Sequence, residues 1–117
     1  MATDWSDNII VCDLADEPSL SEELNGLLAR LEQNGDTRHS SVVVNMADVT
    51  YLNSSNIAQL LRMRKAVNGH GARLKIAGTR DAVWSVMMLT GLDKVFDFAP
   101  DKATALASLQ LESNAGE

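Results

Sequence analysis

Val42-Val43-Val44-Asn45-Met46-Ala47-Asp48-Val49-Thr50-Tyr51-Leu52-Asn53-Ser54-Ser55-Asn56 is the stretch from which the fold of this chain is read. Val42 to Met46 is a β-branched run without polar alternation, the pattern of a strand covered on both faces and therefore at the centre of a sheet. Four small polar residues, Asn53 to Asn56, then precede Ile57, Leu60, Leu61, Arg64 and Val67, which recur at helical spacing up to Asn68-Gly69-His70-Gly71. Serine is a preferred N-cap, so Ser54 or Ser55 is expected to accept a backbone N–H of the following turn.

Outward from this unit the grammar repeats. On the N-terminal side, Ile9 to Leu14 reads as a strand stopped by Ala15-Asp16-Glu17-Pro18. Ser19 with Glu22 has the spacing of a capping box, and Leu20, Leu24, Leu27, Leu28 and Leu31 form the buried stripe of a first helix. On the C-terminal side, Arg73 to Gly78 reads as a strand and Thr79 as the cap of a helix carrying Val83, Val86, Met87 and Thr90. Gly91 followed by Leu92 predicts a left-handed helix end. Val95 to Phe98 reads as a last strand, and Pro100-Asp101 opens a helix bearing Ala103, Leu106, Ala107 and Leu109. Strands alternating with helices predict an α/β fold with a mostly parallel or mixed central sheet of four to five strands and about four helices. Functional loops of such sheets gather at the carboxyl ends of the strands, which brings together Ala15 to Ser19, Tyr51 to Asn56 and Gly78 to Arg80.

Composition bounds the function. The 117 residues hold 10 Lys and Arg against 16 Asp and Glu, a formal charge of −6. One domain spanning 1–117 is expected, with a core of about 8–110 and tails at 1–7 and 111–117. The acidic surplus disfavours nucleic acid. The N-terminus lacks the pattern of a signal peptide and no apolar run reaches the ~18 residues of a membrane span, so a cytoplasmic protein without membrane insertion is expected. Cys12, the single cysteine, lies in the apolar run Ile9 to Cys12 and is read as a buried hydrophobe.

Chemistry-bearing constellations are sparse. His39 and His70 fall in polar turns without ligands at metal spacing. Ser54 and Ser55 lack a Gly-x-Ser-x-Gly elbow, and Gly69-His70-Gly71 follows a helix and lacks the lysine of a phosphate loop. No cofactor, metal or enzymatic activity is expected. Arg62, Arg64 and Lys65 read as a solvated helix face. Trp84 and Met88, four residues apart, share a face that Val83, Val86, Met87 and Thr90 do not, which predicts exposed apolar surface on the third helix.

The stretch from Val42 to Asn56 resembles the phosphorylation-site region of STAS domains, the bacterial anti-sigma-factor antagonists, in which an apolar strand and a short loop lead to Asp-Ser-Ser-Gly at a helix start. Met88-Leu89-Thr90-Gly91-Leu92-Asp93-Lys94-Val95-Phe96 is similar to the hydrophobic, Ser/Thr-Gly-Leu, strand pattern of the same family, and the likeness runs from about Ile9 to Leu109. Asn53 and Asn56 depart from the family's aspartate and glycine. The family commonly has a further N-terminal strand before the one at Ile9, for which the start of this chain reads as short, with Trp5 expected on the sheet edge instead. The resemblance implies a binding protein whose partner is an anti-sigma factor and serine kinase of the histidine-kinase-like ATPase type, released when a serine is phosphorylated. It implies Ser54 as the phosphoacceptor, with Ser55 as the alternative, and a partner surface of Asn53, Ser54, Ser55, Asn56, Gly78 and Thr79. A second reading is a non-phosphorylated scaffold or subunit, in a stressosome-like assembly or beside a lipid-transport ATPase; an enzyme or small-ligand binder is the third.

Overall fold

Val42, Val43 and Val44 are all fully buried, and the strand that carries them is the third of five in the sheet. The computed structural model describes residues 3–6, 9–33, 41–69 and 71–115. Its elements, in chain order, are β1 (Thr3–Ser6), β2 (Ile9–Ala15), α1 (Ser19–Gln33), β3 (Ser41–Asp48), α2 (Ser54–Gly69), β4 (Leu74–Ala77), α3 (Asp81–Thr90), a 3₁₀ turn (Leu92–Lys94), β5 (Asp97–Ala99) and α4 (Lys102–Ala115). The strands lie in the order β1-β2-β3-β4-β5; β2 to β5 are parallel, and β1 runs antiparallel to β2. This is the expected α/β architecture.

The two faces of the sheet are covered unequally. Even-numbered positions, Ile10, Cys12 and Leu14 of β2 with Val42, Val44 and Met46 of β3, join the large core with the leucine stripe of α1, with Leu60, Met63 and Val67 of α2, and with Val83 and Met87 of α3. Val43 and Ala77 point to the other face, where Ala105 and Leu109 of α4 close a smaller cluster. Three helices therefore cover one side and one the other. Cys12 is buried, as its apolar setting predicts.

Several boundaries differ from the sequence reading. Residues 1–7 were expected as tail, yet Thr3–Ser6 pair with β2 from Thr3 opposite Cys12 to Ser6 opposite Ile9, supplying the additional N-terminal strand. Residues 111–117 were likewise expected as tail, whereas α4 continues to Ala115. The last strand is Asp97–Ala99 instead of Val95 to Phe98, because the 3₁₀ turn carries the chain two residues further, with the Phe96 N–H on the Leu92 carbonyl. Among the described residues of α4 the buried positions are Ala105 and Leu109, while Ala103 and Ala107 are exposed. Gly91 ends α3 as predicted: it has φ +77°, its N–H meets the carbonyls of Met87 and Met88, and Leu92 is buried. Arg62 pairs with Glu32 at 3.0 Å on the solvated side of α2, Arg64 Nε donates to the Val95 carbonyl, and Lys65 is exposed. His39 and His70 lie outside the described residues.

Candidate functional site

The carboxyl ends of β2, β3 and β4 carry the three loops expected to converge, and side-chain bonds tie each loop to the next. The Asp16 carboxylate, after β2, accepts the N–H of Thr50 at 2.8 Å and its hydroxyl at 2.7 Å. These two bonds, the N–H first, hold the Asp16 pKa below its ordinary value. Glu17 accepts the hydroxyl of Ser21, the N–H of Ser21 at 2.9 Å and the side-chain amide of Asn56 at 2.9 Å. Its pKa is also lowered, chiefly by the Ser21 hydroxyl and next by Asn56. Glu17 thus serves α1 as its cap; the Ser19–Glu22 box is displaced because α1 already begins at Ser19.

The same exchange of roles occurs at the start of α2. Its N-cap is Asn53, not a serine: Asn53 Oδ1 accepts the Asn56 N–H at 2.8 Å, and Asn56 Oδ1 accepts the Asn53 N–H at 3.0 Å. This is a reciprocal capping box built from two asparagines. Ser54 and Ser55 consequently occupy the first two helical positions, with both side chains exposed. Asn56 was expected on the partner surface, but it is 0% exposed and acts from beneath. Its Nδ2 also lies 3.4 Å from Ser21 Oγ and 3.3 Å from Gln59 Oε1, and Gln59 donates in turn to the Ser21 carbonyl at 3.3 Å and to Asn25 Oδ1 at 2.8 Å. A polar seam therefore joins α1 to α2 directly below the serines. Leu52 is buried and anchors the approach to the turn, whereas Tyr51 is 63% exposed beside it.

The third loop is fixed mainly by backbone. Gly78 has φ +69°, and a Cβ there would stand 3.0 Å from Asn45 Oδ1 and 3.4 Å from the Ala47 Cβ. Only glycine meets both conditions without strain. Its N–H donates to the Ala99 carbonyl at 3.3 Å. Arg80 Nε reaches the Ala47 carbonyl at 2.7 Å, connecting this loop to the end of β3. The helix cap expected at Thr79 falls instead on Arg80, which makes no side-chain capping bond. Thr79 is half-buried and lines an open cleft of about 270 Å³ with Trp84, Phe98, Ala99 and Pro100. Beneath, Asn45 Nδ2 donates to Asp13 Oδ1 at 2.8 Å, and Lys102 pairs with Asp13 at 3.3 Å.

Of the site residues expected from sequence, Asn53, Ser54 and Ser55 share one turn, and Gly78 and Thr79 lie on the loop that Arg80 ties to the end of β3. Sequence reasoning missed Asp16, Glu17 and Thr50 as individual residues. The acid pair before Pro18 reads as a strand stop, and nothing local reveals that its partners are 34 and 39 residues away.

The sequence model of the STAS domain matches residues 12–105. Among solved structures, an anti-sigma-factor antagonist (STAS) domain protein from Planctomyces limnophilus superposes with a TM-score of 0.79 at 16% identity, over 93% of this chain and 97% of that one. A chain from the stressosome, a signal integration and transduction hub, gives a TM-score of 0.76 at 16% identity, over 96% and 98%. The anti-sigma factor antagonist SpoIIAA in its unphosphorylated form gives 0.66 at 10% identity, over 92% and 94%. At these identities the likeness is one of fold.

Proposed function

Because the chain belongs to the STAS domain family, we propose that it is a regulatory binding protein of the anti-sigma-factor antagonist kind, without catalysis of its own and acting in the cytoplasm. Its partner is an anti-sigma factor and serine kinase of the histidine-kinase-like ATPase type. Phosphorylation of Ser54, with Ser55 as the alternative acceptor, ends the complex. The observation that carries this reading is the pair of exposed hydroxyls at the first two positions of a helix whose cap is supplied by other residues. Neither serine is consumed by the fold.

The switch needs no conformational transition in this domain. A phosphate adds about −1.5 to −2 charges, and at a helix N-terminus it is favoured by roughly 0.3–1 kcal/mol. The cost falls on the complex. A partner packed against Ser54, Asn53 and Thr79 would have to desolvate a dianion, and each ~1.4 kcal/mol lost is tenfold in affinity.

Incubation with the cognate kinase and ATP, followed by intact-mass measurement, tests the reading. One phosphate is expected on the wild type and none on Ser54→Ala; a phosphate that persists in Ser54→Ala and vanishes in Ser55→Ala reassigns the acceptor. Ser54→Asp is expected to bind the partner weakly and Ser54→Ala constitutively. The alternative, a non-phosphorylated scaffold or subunit in a stressosome-like or lipid-transport complex, is favoured by the asparagine box, which departs from Asp-Ser-Ser-Gly at both ends. No phosphate together with unaltered binding by both variants would select it.

A further inference from the structure

We propose that Glu17 is a positioning residue of the serine site: acting through Asn56, it sets the turn on which Ser54 and Ser55 are presented, and so governs their reactivity. This inference rests on the phosphoacceptor reading above. Asn56 has no exposed surface, so each end of its amide must find a partner within the protein. Nothing in the shape of an amide decides which end faces the Asn53 N–H. Glu17 decides it. A carboxylate only accepts, so it draws the Nδ2 end toward itself and leaves Oδ1 facing the Asn53 N–H, completing the cap.

Both oxygens of Glu17 are committed. Oε1 takes the Ser21 N–H, while Oε2 takes the Ser21 hydroxyl and the Asn56 amide. A neutral glutamine at position 17 cannot replace it, since whichever oxygen becomes NH₂ meets a donor. Chain positions 17, 56 and 53 therefore form a directional relay from the β2–α1 loop to the helix turn bearing the serines.

The direction of the relay makes it testable by reversal. In E17Q a donor faces a donor. In N56D a second carboxylate replaces the amide that lies 2.9 Å from Glu17. In E17Q/N56D the pattern is matched again between positions 17, 56 and 53: Gln Nε2 donates to one oxygen of the new aspartate, whose other oxygen accepts the Asn53 N–H, while Gln Oε1 accepts the Ser21 N–H; Gln59 Oε1, 3.3 Å from the native amide, loses its donor in N56D and in the double variant alike. The net charge of the relay is restored as well.

The four proteins, wild type included, are incubated with ATP and each purified histidine-kinase-like ATPase encoded in the same genome, and phosphate at Ser54 is followed by intact mass. Exchange of the Asn53 and Asn56 amide hydrogens is followed by NMR on the same samples. Each single variant is expected to lower phosphate incorporation and the protection of both amides by about tenfold or more, the loss of one hydrogen bond to a charged group. The double variant is expected to recover both to within about twofold of wild type. Undiminished incorporation in E17Q overturns the proposal, whether or not amide protection falls. So does a double variant no better than the singles, since a site that merely needed its native side chains would lose more with two changes than with one. If no such kinase phosphorylates the wild type, the phosphoacceptor reading fails, and the exchange cycle alone decides whether Glu17 sets the turn.

Discussion

Helices α2 and α3 both follow a parallel strand at the same end of the sheet, and their starts are built in opposite ways. At α2 the first turn is held by side chains: Asn53 and Asn56 cap each other, and Glu17 enters from another loop. At α3 the cap residue Arg80 makes no side-chain capping bond, and the approach is set by the backbone of Gly78. The surfaces differ in the same sense. Two exposed serines crown α2, whereas α3 displays Trp84 at 36%, Met88 at 55% and Leu89 at 87% exposure. A turn fixed from several directions holds polar groups in a defined place; a turn fixed by one glycine and one arginine bond to the Ala47 carbonyl only has to deliver the chain.

The largest effect is expected where the backbone carries most of the geometry. Gly78→Ala introduces a Cβ at positive φ and 3.0 Å from Asn45 Oδ1, an amide already bound to Asp13 and to the Ala47 N–H. A loss of about 2–3 kcal/mol is expected in urea unfolding, combining backbone strain with overpacking. A loss below ~0.5 kcal/mol would mean that the α3 loop relaxes freely, and the contrast with α2 would dissolve.

At α2, Asn53→Ala removes the cap acceptor and is expected to cost about 1 kcal/mol, whereas Arg80→Ala, which gives up one bond to the Ala47 carbonyl but no cap, is expected to cost about half as much. Equal losses in a denaturant titration would show that the two starts are supported alike. This comparison also marks where the sequence was legible. The valine run of β3, the leucine stripe of α1 and the glycine end of α3 were readable because each signal is complete within a few residues. The cap of α2 was not, because Asn53, Ser54, Ser55 and Asn56 are all competent caps by residue type. What selects Asn53 is the buried Leu52 before it and a glutamate 39 residues from Asn56. Strands β1 and β5 were misjudged for a related reason. They are edge strands of four and three residues, too short to display alternation, and pairing with a neighbour defines them.

Acid should act on α2 before α3. Asp16 and Glu17 have pKa values lowered by the bonds that tie the β2–α1 loop to Thr50, Ser21 and Asn56. A carboxylate whose folded pKa is depressed contributes stability that is present above its unfolded pKa and is lost as pH falls through the folded value. The losses therefore begin near the ordinary values of 4.5 for Glu17 and 3.8 for Asp16 and continue below them. Asp101, lowered by Thr104 at the start of α4, adds to the same slope. Asp16→Asn with Glu17→Gln should flatten the decline of stability between pH 5 and 3 without abolishing the part due to Asp101. An unchanged slope would remove the electrostatic half of the contrast.

The smallest effect is expected on the apolar surface of α3. Leu89 is 87% exposed, and the helix is anchored by Val83 and Met87 on its opposite side. Leu89→Ser should change unfolding stability by less than ~0.5 kcal/mol, as for surface positions away from caps and buried networks. Trp84 is different despite lying on the same helix. Its ring meets Phe98 edge-on at 5.0 Å, so Trp84→Ala removes packing as well as surface and should cost measurably more than Leu89→Ser. The order of these two losses tests whether α3 is held by its inner face and the Trp84–Phe98 contact. A Leu89→Ser loss as large as that of Trp84→Ala would mean that the outer face also supports the fold, and α3 would then resemble α2 in drawing on side chains from more than one direction.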